Sequence, residues 1–141
     1  MNNPLEHGSY RASIVDRVLC LSVVGAWNRE GMLAYLKEFR ELSAPLAEDG
    51  RPWASLVDLS NWDLLTPDSL DPFNESAKWA SANNRTHVAI VSEESSLMQW
   101  LSDKLLEDTG VDSRFFQTRR DAWEWLQALG FCEEVPLLVH K

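Results

Sequence analysis

Ser55-Leu56-Val57-Asp58-Leu59-Ser60-Asn61-Trp62, followed by Thr66-Pro67-Asp68-Ser69-Leu70, decides how this chain is read. Its first half belongs to an apolar run, Trp53 to Leu59, opened by Pro52. A short run that is apolar on both faces is the pattern of a strand buried inside a parallel sheet. The polar stretch Asp58 to Asp63 then marks the carboxyl end of that strand. Thr66-Pro67-Asp68 follows as a cap with proline in the first helical turn, and Asp71-Pro72 repeats the signature. Leu70, Phe73, Ala77 and Ala80 continue one helical face. The segment is therefore a strand, a turn and a helix.

The flanks extend this alternation. Tyr10 to Ile14 and Val18 to Val24 are β-rich runs around Val15-Asp16-Arg17, a tight antiparallel pair without the favoured Asn-Gly turn. Asn28 caps a long helix whose Met32, Leu33, Leu36, Phe39, Leu42 and Leu46 recur at three- and four-residue steps, with Pro45 and Gly50 ending it. Thr86 to Val91 is another strand. Ser95 or Ser96 caps a helix carrying Leu97, Met98, Leu101 and Leu105, ended by Gly110. Ser113 to Gln117 is a short strand, and Thr118 to Asp121 has capping-box spacing before a last helix that stops at Gly130. The order predicts an α/β fold: a five-stranded, mostly parallel sheet with an antiparallel first strand and four main helices. One domain is expected over residues 1–141, with a core at about 8–130 and a tail at 131–141.

Composition bounds the function. The chain has 141 residues, 45% of them hydrophobic, and a formal charge of −9 from 13 Lys and Arg against 22 Asp and Glu. A chain of this length should bury roughly 68–70% of its unfolded surface, enough for a core without disulfides or metal. The acidic excess repels phosphate and argues against nucleic acid. Cys20 and Cys132 have no metal-ligand or redox spacing, and His7, His87 and His140 share no helical or turn spacing. The start, Met1-Asn2-Asn3-Pro4-Leu5-Glu6, lacks the pattern of a signal peptide, and apolar runs such as Val18 to Leu21 are too short to enter a bilayer as a span. A cytoplasmic protein without cofactor or metal is expected.

Catalytic patterns are missing. There is no Gly-x-Gly-x-x-Gly, no Walker run and no Gly-x-Ser-x-Gly. Asp58 stands at the strand edge where open parallel sheets place ligands, as a possible general base or metal ligand. The plainer account has its carboxylate accepting backbone N–H groups of the following turn. Trp27 and Asn28, Trp62 and Asp63, Ser92 to Glu94, and Thr118 with Arg119 project to the same edge. Asn28, Thr66, Ser95 and Thr118 are also ordinary helix caps. Seven tryptophans stand out in the composition. Trp27 and Trp62 fall in expected loops, where a large aromatic suits binding or a lid over the core end. Trp53, Trp79 and Trp100 read as core. Trp125 shares a register with Ala122 and Leu129, so Trp123, about 200° away, is expected to face solvent, the tail or a partner.

The quoted stretch, with the two-strand opening and the final strand-helix pair, resembles STAS domains, the superfamily of anti-sigma-factor antagonists and SpoIIAA-like proteins, over about residues 8–130. The resemblance implies the SpoIIAA-like arrangement, with helices mainly on one side of the sheet. It implies a regulatory module that binds a protein partner or a second copy. In antagonists of this superfamily a serine or threonine at the helix start is phosphorylated. Here that position falls on Pro67, which cannot accept phosphate, with Asp68 beside it and Ser69 the nearest hydroxyl, so the resemblance implies a divergent member without the regulatory serine. Related members grade into lipid-binding proteins, which makes a small apolar ligand near Trp27 and Trp62 the alternative. An enzyme using Asp58 or Asp63 ranks third. The expected contact residues are Trp27, Asn28, Asp58, Asn61, Trp62, Asp63, Thr66, Asp68, Ser69 and Trp123.

Overall fold

A computed structural model describes residues 9–65, 67–93 and 96–136. The strands are β1 (Ser9–Val15), β2 (Val18–Trp27), β3 (Trp53–Leu65), β4 (Arg85–Val91) and β5 (Asp112–Phe116). The helices are α1 (Arg29–Glu48), α2 (Leu70–Ala82), α3 (Ser96–Leu105) and α4 (Arg119–Ala128), and a 3-10 turn, Pro67–Ser69, leads into α2. One sheet runs in the order β1-β2-β3-β4-β5, antiparallel between β1 and β2 and parallel beyond. This is the α/β sheet that the sequence predicts.

A strand order that advances one place at each crossover of one hand lays the crossover helices on one face. Leu19, Leu21 and Val23 of β2 accordingly pack with Met32, Tyr35 and Phe39 of α1 and Ala80 of α2. The alternate residues Val18 and Cys20 turn to the other face. There α4 supplies Ala122, Trp123 and Leu126, and the chain after it adds Phe131 and Cys132.

Asp16, at φ 54°, makes the two-residue turn between β1 and β2. The next residue, Arg17, reaches the end of α1, donating to the Leu46 carbonyl at 2.9 Å and to Asp49 at 2.7 Å. A cation suits the carbonyl end of a helix. Pro45 does not end α1 as expected; it lies inside the last turn, and Gly50 at φ 71° follows.

Four further expectations are corrected. β3 continues to Leu65 because it pairs with β2 as far as Trp27↔Leu65, long after its pairing with β4 stops at Asp58↔Val91. Trp27 and Trp62 are thus strand residues and not loop residues. Trp123 is 1% exposed, since α4 buries the stripe Ala122, Trp123 and Leu126, while Trp125 lies half-buried beside His87 and Phe116. Trp100 is 51% exposed on α3 and contributes no core. No helix among the described residues is long and apolar enough to cross a membrane.

Candidate functional site

The register between β2 and β3 aims the site. Ser22 pairs with Asp58 and Val24 with Asn61, so β3 uses three residues where β2 uses two. An extra residue in one strand reverses the alternation of faces beyond it. Trp62 therefore joins Val57 and Leu59 on the side of α1, α2 and α3. Trp27, on the unbulged strand, keeps its regular alternation with Val23 and arrives at the same place.

Together they line an apolar pocket of about 60 Å³. Val57, Val88 and Ile90 form its floor, and α1, α2 and α3 wall it with Met32, Phe73 and Leu101 among others. Such a volume holds a few waters at about 10–15 Å³ each. Trp27 Nε1 donates to the Val24 carbonyl at 3.2 Å, and its ring packs on Tyr35 with centroids 5.5 Å apart. Trp62 Nε1 is buried and has no hydrogen-bond partner among the described residues.

The polar end is Arg85, 5% exposed. Its Nη1 donates to Ser55 Oγ at 3.2 Å, and its guanidinium lies 5.6 Å from the Phe39 ring centroid and 6.0 Å from that of Trp53. Its Nε has no partner, and no carboxylate forms an ion pair with it among the described residues. Burial lowers the Arg85 pKa to about 10, which still leaves it charged at neutral pH. Ser55 and Trp62 stand seven steps apart on β3, roughly 20 Å along a strand. The pocket is thus cationic toward one end and aromatic toward the other. Sequence reasoning missed Arg85 by starting this strand at Thr86. Its only signal was position: an arginine directly before an apolar run, where a long side chain can fold back over the sheet.

Asp58 belongs to the opposite side. Its Oδ1 accepts the Ser60 N–H at 2.9 Å, a backbone contact like that of the plainer account, but within β3 where the register shifts and not in a turn. Its Oδ2 faces Arg119 Nη1 at 3.8 Å, and Arg119 Nη2 contacts Cys20 Sγ at 3.1 Å. Both carboxylate oxygens are engaged inside the fold. Burial pushes the Cys20 thiol pKa up, outweighing the adjacent guanidinium, so it is no activated nucleophile. Among the described residues no cluster of His, Cys, Asp and Glu is fit to hold a metal.

The remaining expected residues scatter. Asn28 Oδ1 caps α1 by accepting the Gly31 N–H at 2.9 Å, and Thr118 caps α4 through the Asp121 N–H at 3.1 Å. Asn61 and Asp68 are exposed, and the Asp68 carbonyl accepts Arg29 Nη1 at 2.9 Å. Ser69 is fully buried where the 3-10 turn meets α2. Asp63 lies on β3, but its side chain, like Thr66 as a whole, falls outside the described residues. Trp123 sits in the core beneath α4, on the face opposite the pocket. The structure therefore unites Trp27 and Trp62 and separates both from Asp58 and Trp123.

Among curated proteins none matches the chain. It is similar to the crystal structure of an uncharacterized DUF3478-family protein with a SpoIIAA-like fold from Shewanella loihica PV-4. The TM-score is 0.62 at 21% identity, covering 89% of this chain and 98% of that one. It is also similar to an anti-sigma factor antagonist from Mycobacterium paratuberculosis, with a TM-score of 0.61 at 17% identity, covering 90% and 99% of the two chains. At these identities the likeness is one of fold. The SpoIIAA-like family model matches residues 18–127, from the start of β2 into α4, and the chain belongs to the SpoIIAA-like family.

Proposed function

We propose that this chain is a non-catalytic binding module whose seat is the apolar pocket between the sheet and α1, α2 and α3. The observation that carries the reading is the meeting of Trp27 and Trp62 on one pocket wall, brought about by the extra residue in β3. An apolar concavity with a few polar groups is the usual form of a small-ligand site. The position matching the antagonists' phosphoacceptor is Pro67, which has no hydroxyl, and the buried Ser69 is closed to a kinase. Control by a ligand beside α2 would take the place of control by phosphate.

The test is a titration with the neutral fluorescent probe N-phenyl-1-naphthylamine. Saturable one-site binding, with energy transfer from tryptophan, is expected in the wild type and is lost in Leu101→Trp, which fills the pocket. Absence of saturation, or unchanged binding in that variant, overturns the reading.

A protein partner is the second reading, favoured by Trp100. Its ring is half exposed on α3, the helix that supplies Met98 and Leu101 to the pocket wall. Tryptophan is enriched at interface centres. Self-association through α3 is the simplest form of this reading. Light scattering should then give a dimer mass that Trp100→Ser returns to the monomer; a monomeric wild type at high concentration sinks that form.

A further inference from the structure

A buried cation without a counter-charge is costly, and most proteins avoid it. Arg85 presents five N–H donors and no acceptor. Ser55 Oγ takes one of them, and Nε is left without a partner among the described residues. Stacking near Phe39 and Trp53 offsets part of the charge but satisfies none of the N–H groups.

A second orphan lies beside it. Arg85 lines both the main pocket and an adjoining cavity of about 20 Å³, and the same small cavity is lined by Ser76. Ser76 is 5% exposed, and its hydroxyl also lacks a partner among the described residues. Tyr35, Val57, Phe73 and Arg85 border both spaces, so the two adjoin. Two unpartnered donors, one of them a cation, thus meet in a nook the size of one or two waters. Beside the nook lies the mostly apolar chamber of the main pocket.

We infer that the pocket takes a carboxylate-headed hydrocarbon, with the carboxylate held between Arg85 and Ser76 and the chain running along Val57 toward Trp62. This rests on the pocket reading above and narrows it to a ligand class. A carboxylate supplies only acceptors, matches a guanidinium two bonds to two, and brings one negative charge to one positive. A phosphate monoester brings close to two charges and a third oxygen, which one guanidinium does not neutralise and this nook does not hold. A neutral alcohol leaves the cation uncompensated. The two spaces, about 60 Å³ and 20 Å³, admit the hydrocarbon chain only by widening between the sheet and the helices on binding.

Calorimetric titration of the full chain at neutral pH with octanoate, octan-1-ol and octyl phosphate tests this without any substitution. Octanoate is expected to bind at least tenfold more tightly than the other two, the gain expected for a charge-assisted pair. In Arg85→Met, octanoate should fall to the level of the alcohol while the alcohol is unchanged; Ser76→Ala should show a smaller loss. Equal binding of octanoate and octan-1-ol overturns the carboxylate assignment and leaves the pocket reading standing. Tighter binding of octyl phosphate overturns the choice of head group. If none of the three binds and N-phenyl-1-naphthylamine also fails, the pocket reading falls and this inference with it. If only that neutral probe binds, the carboxylate site alone is wrong.

Discussion

Arg85 is the side chain on which most of the chemistry turns, and it runs against its type, since arginine is seldom fully buried without a partner. A guanidinium kept for a ligand is a burden on the empty protein. Arg85→Met removes the burden and puts an unbranched apolar side chain beside the Phe39 and Trp53 rings, over which the guanidinium lies. Its expected effect is unchanged or higher stability, by up to about 1–3 kcal/mol in chemical denaturation. A loss of more than about 1 kcal/mol would mark Arg85 as a structural stacking residue instead. Alkaline pH gives a separate test. Burial raises the pKa of both Tyr10 and Tyr35 above the ordinary value, so the folded state keeps its phenols protonated where the unfolded chain ionises them. Stability from the tyrosines is therefore complete below about pH 10 and lost above it. Arg85 acts in the opposite sense, because its burial cost is relieved above about 10. Two phenols against one guanidinium leave a net loss. Phenolate absorbance should rise together with the loss of circular dichroism above about pH 10, and formation of both phenolates in a still-folded protein would contradict the burial of Tyr35.

Among the strands and helices, β3 shows where sequence patterns stop being informative. Its apolar first half was legible, as were the other strands and every helix, because alternation and helical spacing report burial directly. The extension past Leu59 was not, since Ser60, Asn61 and Asp63 look like a loop. They are tolerated in a strand because that part of β3 has β2 as its partner and no pairing with β4. Nor does an alternating pattern reveal an inserted residue, which is why Trp62 was placed near the site without a direction. Asp58 supports this irregularity: its carboxylate holds the Ser60 N–H where the register shifts, and Arg119 holds the carboxylate. Asp58→Ala should lower stability by about 1–3 kcal/mol and weaken pocket binding without the residue touching the ligand. Asp58→Asn, which keeps the Oδ1 acceptor, should cost less; equal effects of the two would remove the role given to that bond. On α4 the error was one of register, because Trp123 and Trp125 both meet protein and helical spacing alone did not say which meets the sheet. For α3, which packs mainly on α2 and walls the pocket, amide exchange should slow on adding octanoate more than for α4 on the far face. Equal slowing in the two helices would separate α3 from the site.

The whole molecule is a sheet with two unlike faces. One face is closed by α4 and the residues after it around Trp123, a plain core. The other carries three helices and retains an incompletely filled space with a charge at one end. The strand order that produces this asymmetry was readable, because alternating elements and one-handed crossovers leave few topologies. The pocket was readable only as two tryptophans near one edge. Its cationic end depends on a fold-back of Arg85 that no local pattern encodes. Large exposed apolar side chains among the described residues stand singly on β1, β2, α1 and α3 and just past the end of α4. Isolated residues of this kind are normal on a protein surface. The pocket under α1, α2 and α3 is thus a better seat for recognition than the exterior. The most direct measurement is the set of tryptophan indole N–H resonances, followed by two-dimensional NMR during titration with octanoate. The Trp62 and Trp27 signals should move and saturate together, while that of Trp123, across the sheet, stays in place. Unmoved Trp27 and Trp62 signals, or shifts confined to the exposed Trp100, would contradict a ligand in this pocket.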